Sequence, residues 1–174
     1  MEILESKKLI EFIDENELKS LQNKFARATG MGCGSKEADG SLIKYDFTSD
    51  YCIFTRLSEK GGKLCEECEK KDMEVAAKTG KVHLSRCHAG LINFTAPITV
   101  NGEVAGYLTG GQVFDKQPNM DEVKQLAEEM DIPVNRYAEA AHEAAVVPRR
   151  RIEGSAELLE ELAKLLPETA AKKD

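Results

Sequence analysis

Apolar residues recur at two different intervals along this chain, and the change of interval marks its elements. Leu18, Leu21, Phe25 and Ala28 repeat every three or four positions, which predicts a helix over 15–28 ended by Thr29-Gly30. Residues 31–47 lose that interval. Gly32, Gly34 and Asp39-Gly40 precede Leu42, Ile43, Tyr45 and Phe47, the pattern of two short strands about an Asp-Gly turn. A short helix is expected over Tyr51–Leu57. Gly61-Gly62 is expected to break the chain before a longer helix that runs to about Thr79 and closes at Gly80. Val82–His88, Leu91–Val100 and Glu103–Phe114 are rich in strand formers. Asn101-Gly102 is a hairpin turn, because both central residues must take positive φ.

Three helices follow. Asn119 caps the first, with Glu122 three residues on and Val123, Leu126, Ala127 and Met130 as its apolar stripe. The second follows Pro133. The third follows Pro148, with Ile152, Leu158, Leu159, Leu162, Leu165 and Leu166 expected to face inward and Ala170–Asp174 to fray. The order of two strands, helices, then three strands predicts an α+β fold. Its expected form is an antiparallel five-stranded sheet with inserted and flanking helices. At 174 residues the chain reads as a single domain, 1–174, with its core over about 10–166.

If no bulge intrudes, the turn fixes the hairpin register. Val100 then faces Glu103, Ile98 pairs with Ala105, Ala96 with Tyr107 and Phe94 with Thr109. On the other face Thr95 meets Leu108, Asn93 meets Gly110 and Leu91 meets Gln112. Asn93, Thr95 and Gln112 thus become neighbours beside two leucines. Gly106, Gly110 and Gly111 mark a bulge or a close backbone approach. Amides and a hydroxyl among apolar groups suit a small polar ligand. The plainer alternative is that they face water and the glycines admit a packed helix.

Composition narrows the function classes. The chain is 41% hydrophobic and 32% charged, as in a soluble globular protein. A net charge of −7 argues against coating nucleic acid. Arg149-Arg150-Arg151 reads as a solvated helix end. No apolar run is long enough to span a membrane and MEILESKK is no signal peptide, so a cytoplasmic location is expected. Cysteines there serve as thiols or metal ligands rather than structural disulfides.

Four of the five cysteines and two of the three histidines lie between Tyr51 and Phe114. Cys65 and Cys68 share a helix face with Asp72, and an aspartate on that stripe must be paired or bound. With Cys52 and Cys87 they are the candidate ligands of zinc or an iron–sulfur cluster. Haem held through cysteine is a further candidate cofactor. C-type haem attachment is excluded, because Glu69 rather than histidine follows Cys68. Cys87 and His88 would point to opposite faces of a strand, and nothing in the sequence brings His88 to Cys65 as a base. The plain alternative is buried, inert thiols.

The run with Cys52, Cys65, Asp72, Cys87-His88-Ala89-Gly90-Leu91, Pro97-Ile98, Gly106 and Gly110-Gly111-Gln112-Val113 resembles the PocR ligand-binding domain, as does LQNKFARATGM upstream. The likeness spans about residues 10–166. It implies a PAS-like sensory fold in prokaryotic signal transduction, attached to transcription regulators or histidine kinases. It implies that the domain senses simple hydrocarbon derivatives such as diols. The positions it carries over are Cys52, Cys65, Asp72, Cys87, His88 and Gln112, while Cys68 and Cys33 are extras. MGCGSKEADG is polar and glycine-rich where the family tends to be aliphatic. No DNA-binding or kinase module follows residue 166, so a stand-alone sensor or an excised domain is expected.

The resulting expectation is a non-enzymatic sensor of a small ligand, contacted by Asp72, His88, Asn93 and Gln112. The alternative is a redox or gas sensor with a metal, cluster or haem on Cys52, Cys65, Cys68 and Cys87. A homodimer is expected through the last helix and the apolar N-terminal residues Ile3, Leu4, Leu9, Ile10, Phe12 and Ile13. A regulator or kinase is the expected output partner, with no direct contact to nucleic acid or membrane.

Overall fold

The computed structural model describes residues 8–46 and 49–171. Asp14 opens the first long helix: its carboxylate accepts the Glu17 amide at 2.9 Å, and Gly30 ends the helix in the left-handed conformation. In chain order the elements are α1 (Leu9–Phe12), α2 (Glu15–Thr29), β1 (Gly32–Glu37), β2 (Leu42–Asp46), α3 (Asp50–Leu57) and α4 (Glu59–Thr79). There follow β3 (His83–Arg86), β4 (Ile92–Val100), β5 (Glu103–Val113), α5 (Met120–Glu129), α6 (Val134–Glu143) and α7 (Arg149–Ala171). The strands form one antiparallel five-stranded sheet in the order β2-β1-β5-β4-β3. This is the PAS-like arrangement expected from the sequence, with α3 and α4 inserted between β2 and β3.

Each face of the sheet has its own cover. Phe94, Ile92, Ala96, Ile98, Leu108 and Cys33 form a core with α2 and α7. Phe25 meets Phe94 edge-on at 6.4 Å. Helix α4 crosses the opposite face over β3 and β4. A second cluster joins α3, α5 and α6 around Tyr51 and Tyr137, whose rings stack at 4.3 Å. Both hydroxyls are satisfied: Tyr51 donates to the Ala89 carbonyl at 2.8 Å, and the Tyr137 and Thr55 hydroxyls bond at 2.7 Å.

Several expectations need correction. Gly61-Gly62 does not break the chain; α4 starts before them at Glu59, capped by Ser58. The glycines serve close packing instead, since a Cβ on Gly61 would stand 2.3 Å from the Thr55 carbonyl oxygen. The hairpin turn forms as expected, with Asn101 and Gly102 at φ 52° and 83°. One residue of β5 then bulges, so that Ile98 pairs with Gly106, Ala96 with Leu108 and Phe94 with Gly110. The space at Gly110 is filled by the Phe94 ring, 2.4 Å from where a Cβ would stand.

Strand β3 stops at Arg86, not His88. Cys87–Gly90 form a turn in which the Gly90 amide donates to the Cys87 carbonyl at 2.9 Å. On α7, Leu158 and Leu165 are 49% and 52% exposed rather than inward-facing, while Ile152 and Leu159 are buried. Leu9 and Ile13 lie in the chain's own core, so they are not spare for a partner. Ala170 and Ala171 are still helical. Ile3, Leu4, Phe47 and residues 172–174 lie outside the described residues.

Candidate functional site

On α4, Cys65, Glu69, Asp72 and Ala76 fall at intervals of four, three and four, which turns all of them toward the sheet. Only Ala76 is an ordinary core residue. The others create a polar layer where apolar packing would be expected. Lys36 of β1 reaches into it and is only 5% exposed. Its ammonium pairs with one Glu69 carboxylate oxygen, and the Arg56 guanidinium of α3 pairs with the other. Burial would push the Glu69 carboxyl up, but the two cations hold it below the usual carboxylate range. Arg56 also lies over the Tyr45 ring at 5.5 Å.

Asp72 is buried one turn further along. Its carboxylate accepts the Ser85 hydroxyl at 2.7 Å and lies 3.5 Å from His83 Nε2. Burial raises its pKa above the usual aspartate value against the pull of Ser85 and His83. Desolvation of the charge therefore costs stability at neutral pH. Asp72→Asn keeps an acceptor for Ser85 and removes that charge. We expect it to raise the melting temperature at pH 7. The gap should narrow as pH falls through the folded pKa and close below the ordinary aspartate range, because the fold then gains by binding the proton. Melting curves of both proteins between pH 3 and 8 check this.

A cavity of about 20 Å³ lies among these groups, lined by Lys36, Tyr45, Arg56, Glu69, Asp72, Met73, Asn93, Thr95, Thr109 and Gly110. It has room for about one water. The Thr109 hydroxyl is buried there and has no hydrogen-bond partner among the described residues. Asn93 lines the cavity with its neighbour Thr95, as the strand pattern suggested.

The other two expected ligand contacts lie apart from it. Gln112 occupies a second bulge of β5 at φ 59°. Its amide oxygen lies over Gly32, while its backbone N–H donates to Asn93 Oδ1 at 3.2 Å. His88 sits in the Cys87–Gly90 turn and lines a wider groove of about 680 Å³ with Tyr51, Phe114 and Val123.

Cys52, Cys65 and Cys87 lie near that turn, whereas Cys33 belongs to the core under α2 and α7. His88 Nε2 is 3.3 Å from Cys65 Sγ, a contact that no spacing along the chain predicts. Because Cys87 and His88 lie on a turn, the strand rule that separated them does not apply. Zinc or a cluster needs three or four ligands about one point. Among the described residues no three His, Cys, Asp or Glu side chains are so arranged, so the expected set of Cys52, Cys65, Cys68 and Cys87 finds no support. Burial pushes the Cys65 thiol up to about 12 and Cys87 up to about 11. Burial and the Arg56 charge lower the His88 pKa. Cys65 and His88 thus meet as a neutral pair, not as a thiolate and imidazolium.

Lys36, Arg56, Glu69, Ser85 and Thr109 were not singled out from the sequence. One signal was present: Glu69 lies three residues before Asp72 and four after Cys65, which places a second acid on the same stripe. Lys36 had none, since its burial depends on β1 lying between β2 and β5.

The sequence profile of the sensory domain found in PocR matches residues 11–171. The chain belongs to the PocR sensory-domain family. It is 30% identical over 91 residues to the regulatory protein PocR of Salmonella typhimurium, a stretch of 51% of this chain and 30% of that protein. The chain thus matches less than a third of the length of that regulator.

Among solved structures, an IclR homolog from Microbacterium hydrocarbonoxydans complexed with 4-hydroxybenzoate is similar at TM-score 0.44 and 11% identity. That match covers 92% of this chain and 70% of the homolog. A LOV protein of Rhodobacter sphaeroides is similar at TM-score 0.35 and 12% identity, over 88% of this chain and 98% of its own. No helix among the described residues is long and apolar enough to cross a membrane. Membership of the PocR family makes this a sensory domain.

Proposed function

We propose that this domain senses a small oxygen-bearing organic molecule, of the size of a short diol, in the polar layer between α4 and the sheet. One observation carries the reading. Charged and hydroxyl groups converge on a small internal cavity where a sensor with no ligand would pack apolar side chains more stably. Asp72 is the acceptor for a ligand hydroxyl, and Asn93 and Thr109 lie across the cavity from it. His88 and Gln112 support the site from outside its lining. The neutral state of the Cys65–His88 pair favours a sensor over an enzyme. Binding would be passed to a regulator or kinase.

The cavity holds about one water, so a ligand must displace side chains to enter. Met73, with its flexible thioether, is suited to yield. The test is thermal shift and calorimetric titration with short diols, alcohols, aldehydes and acids. Asp72→Asn is expected to weaken binding of a hydroxyl-bearing ligand about tenfold, the effect of losing roughly 1–3 kcal/mol at one buried hydrogen bond. Thr109→Phe, which fills the cavity, is expected to abolish it. A response that survives both substitutions, in proteins whose circular dichroism matches wild type, would place the ligand elsewhere.

A further inference from the structure

The polar layer holds two cations aimed at one carboxylate. Lys36 comes from the sheet and Arg56 from α3, and each grips a different oxygen of Glu69. An ammonium and a guanidinium placed at either side of a carboxylate make an anion site, and the guanidinium is suited to carboxylate geometry. Here the chain fills that site itself. The Glu69 side chain beyond its Cα is two methylenes and a carboxylate, the same set of heavy atoms as propionate. It lines the small cavity, yet 23% of it is exposed, so it has a path to solvent at the edge of α4.

We infer that Glu69 is a tethered stand-in for the ligand, and that the ligand is a three-carbon carboxylic acid whose carboxylate takes its place between Lys36 and Arg56. This rests on the ligand site proposed above and narrows its chemistry. When Glu69 swings out, it vacates a volume of its own shape, which joins the existing cavity. A short acid then enters a space that a neutral diol does not open, because a diol gives Lys36 and Arg56 no anion in return for Glu69. A hydroxyl on the acid would extend toward Asp72 and Thr109. Binding also releases α4 from its ionic tie to β1 and α3, which supplies a structural change for a sensor to transmit.

The experiment compares propionate, lactate and 1,2-propanediol by calorimetry and thermal shift. Glu69→Gln keeps the shape of the side chain and loses its charge. It should lower the half-saturating concentration of propionate and lactate at least tenfold, while 1,2-propanediol at the same concentrations gives no response in the wild type. Because Glu69→Gln removes the carboxylate that Lys36 and Arg56 share, the double variant Lys36→Met/Glu69→Gln, which restores the wild-type net charge of the layer, provides a charge-matched control. It should stay folded by circular dichroism and lose the response to both acids. Equal half-saturation for acids in wild type and Glu69→Gln, or a diol response as strong as that to lactate, would overturn the inference. If such a response is still abolished by Thr109→Phe, the ligand site stands and only the carboxylate assignment falls. If it survives Thr109→Phe, the site assignment falls with it.

Discussion

Replacing Phe94 with alanine should remove about 3–5 kcal/mol of stability, the cost of emptying a fully buried aromatic position. Phe94 is 0% exposed and belongs to the core that β4 shares with α2 and α7. Its ring lies against Gly110 on one side and meets Phe25 edge-on on the other. Neither neighbour can follow it into the gap. Gly110 has no side chain to extend, and Phe25 is held by its helix. For a domain of this size about 1 kcal/mol corresponds to roughly 2–4 °C, so the melting temperature should fall by about 6–20 °C. Differential scanning calorimetry measures it. A fall of less than a few degrees would mean that the site collapses around the missing ring.

Gly61→Ala should also destabilise strongly, although alanine is the better helix former by about 1 kcal/mol. The added Cβ would stand 2.3 Å from the Thr55 carbonyl oxygen and 2.5 Å from Ser58 Oγ. The first is backbone and has little freedom to yield. The second accepts the Gly61 amide at 3.0 Å as the cap of α4, so moving it loses the cap as well. Overpacking costs about 1–3 kcal/mol and a lost cap about 1 kcal/mol, which together exceed the propensity gain. The expected net loss is about 2 kcal/mol, read as a fall of roughly 4–8 °C in melting temperature. Gly62→Ala, whose Cβ would lie 2.8 Å from the Arg56 carbonyl oxygen, should lose less. An unchanged or higher melting temperature for Gly61→Ala would show that helix propensity outweighs the clash.

Periodicity made the elements legible, and local chemistry fixed most of their ends. The Asn119 cap, the Gly80 stop and the Asn101-Gly102 turn all depend on residues within a few positions of one another. Gly61-Gly62 misled because a glycine pair in sequence looks the same whether it ends a helix or admits a neighbouring carbonyl. The register slipped for a similar reason. A bulge is set by what packs against the strand, here the Phe94 ring over Gly110 and Leu9 over Gly106. At the site, Asp72 was legible because a carboxylate on the helix face of Cys65, Cys68 and Ala76 must be paired or bound. The ion pairs of Glu69 with Lys36 and Arg56 join residues 33 and 13 positions apart, and no local pattern encodes them. The Cys65–His88 contact was hidden by treating a turn as a strand.

The last strand and the last helix are stitched together by backbone. Phe114, just past β5, donates to the Ala145 carbonyl at 3.0 Å and accepts from the Val147 amide at 2.8 Å, in a parallel bridge with Val146. Helix α7 begins three residues after Val146. Its 23 residues at 1.5 Å each make a rod of about 34 Å. The Gln112 bulge lies two residues before Phe114 on the other side. The sheet end nearest the bulge is thus the fulcrum of a long arm. Because Ile152, Ala156, Leu159 and Ala163 of α7 pack on the sheet, a tilt of about 5° at that root, which would carry the far end of α7 about 3 Å, must also shift that packed core.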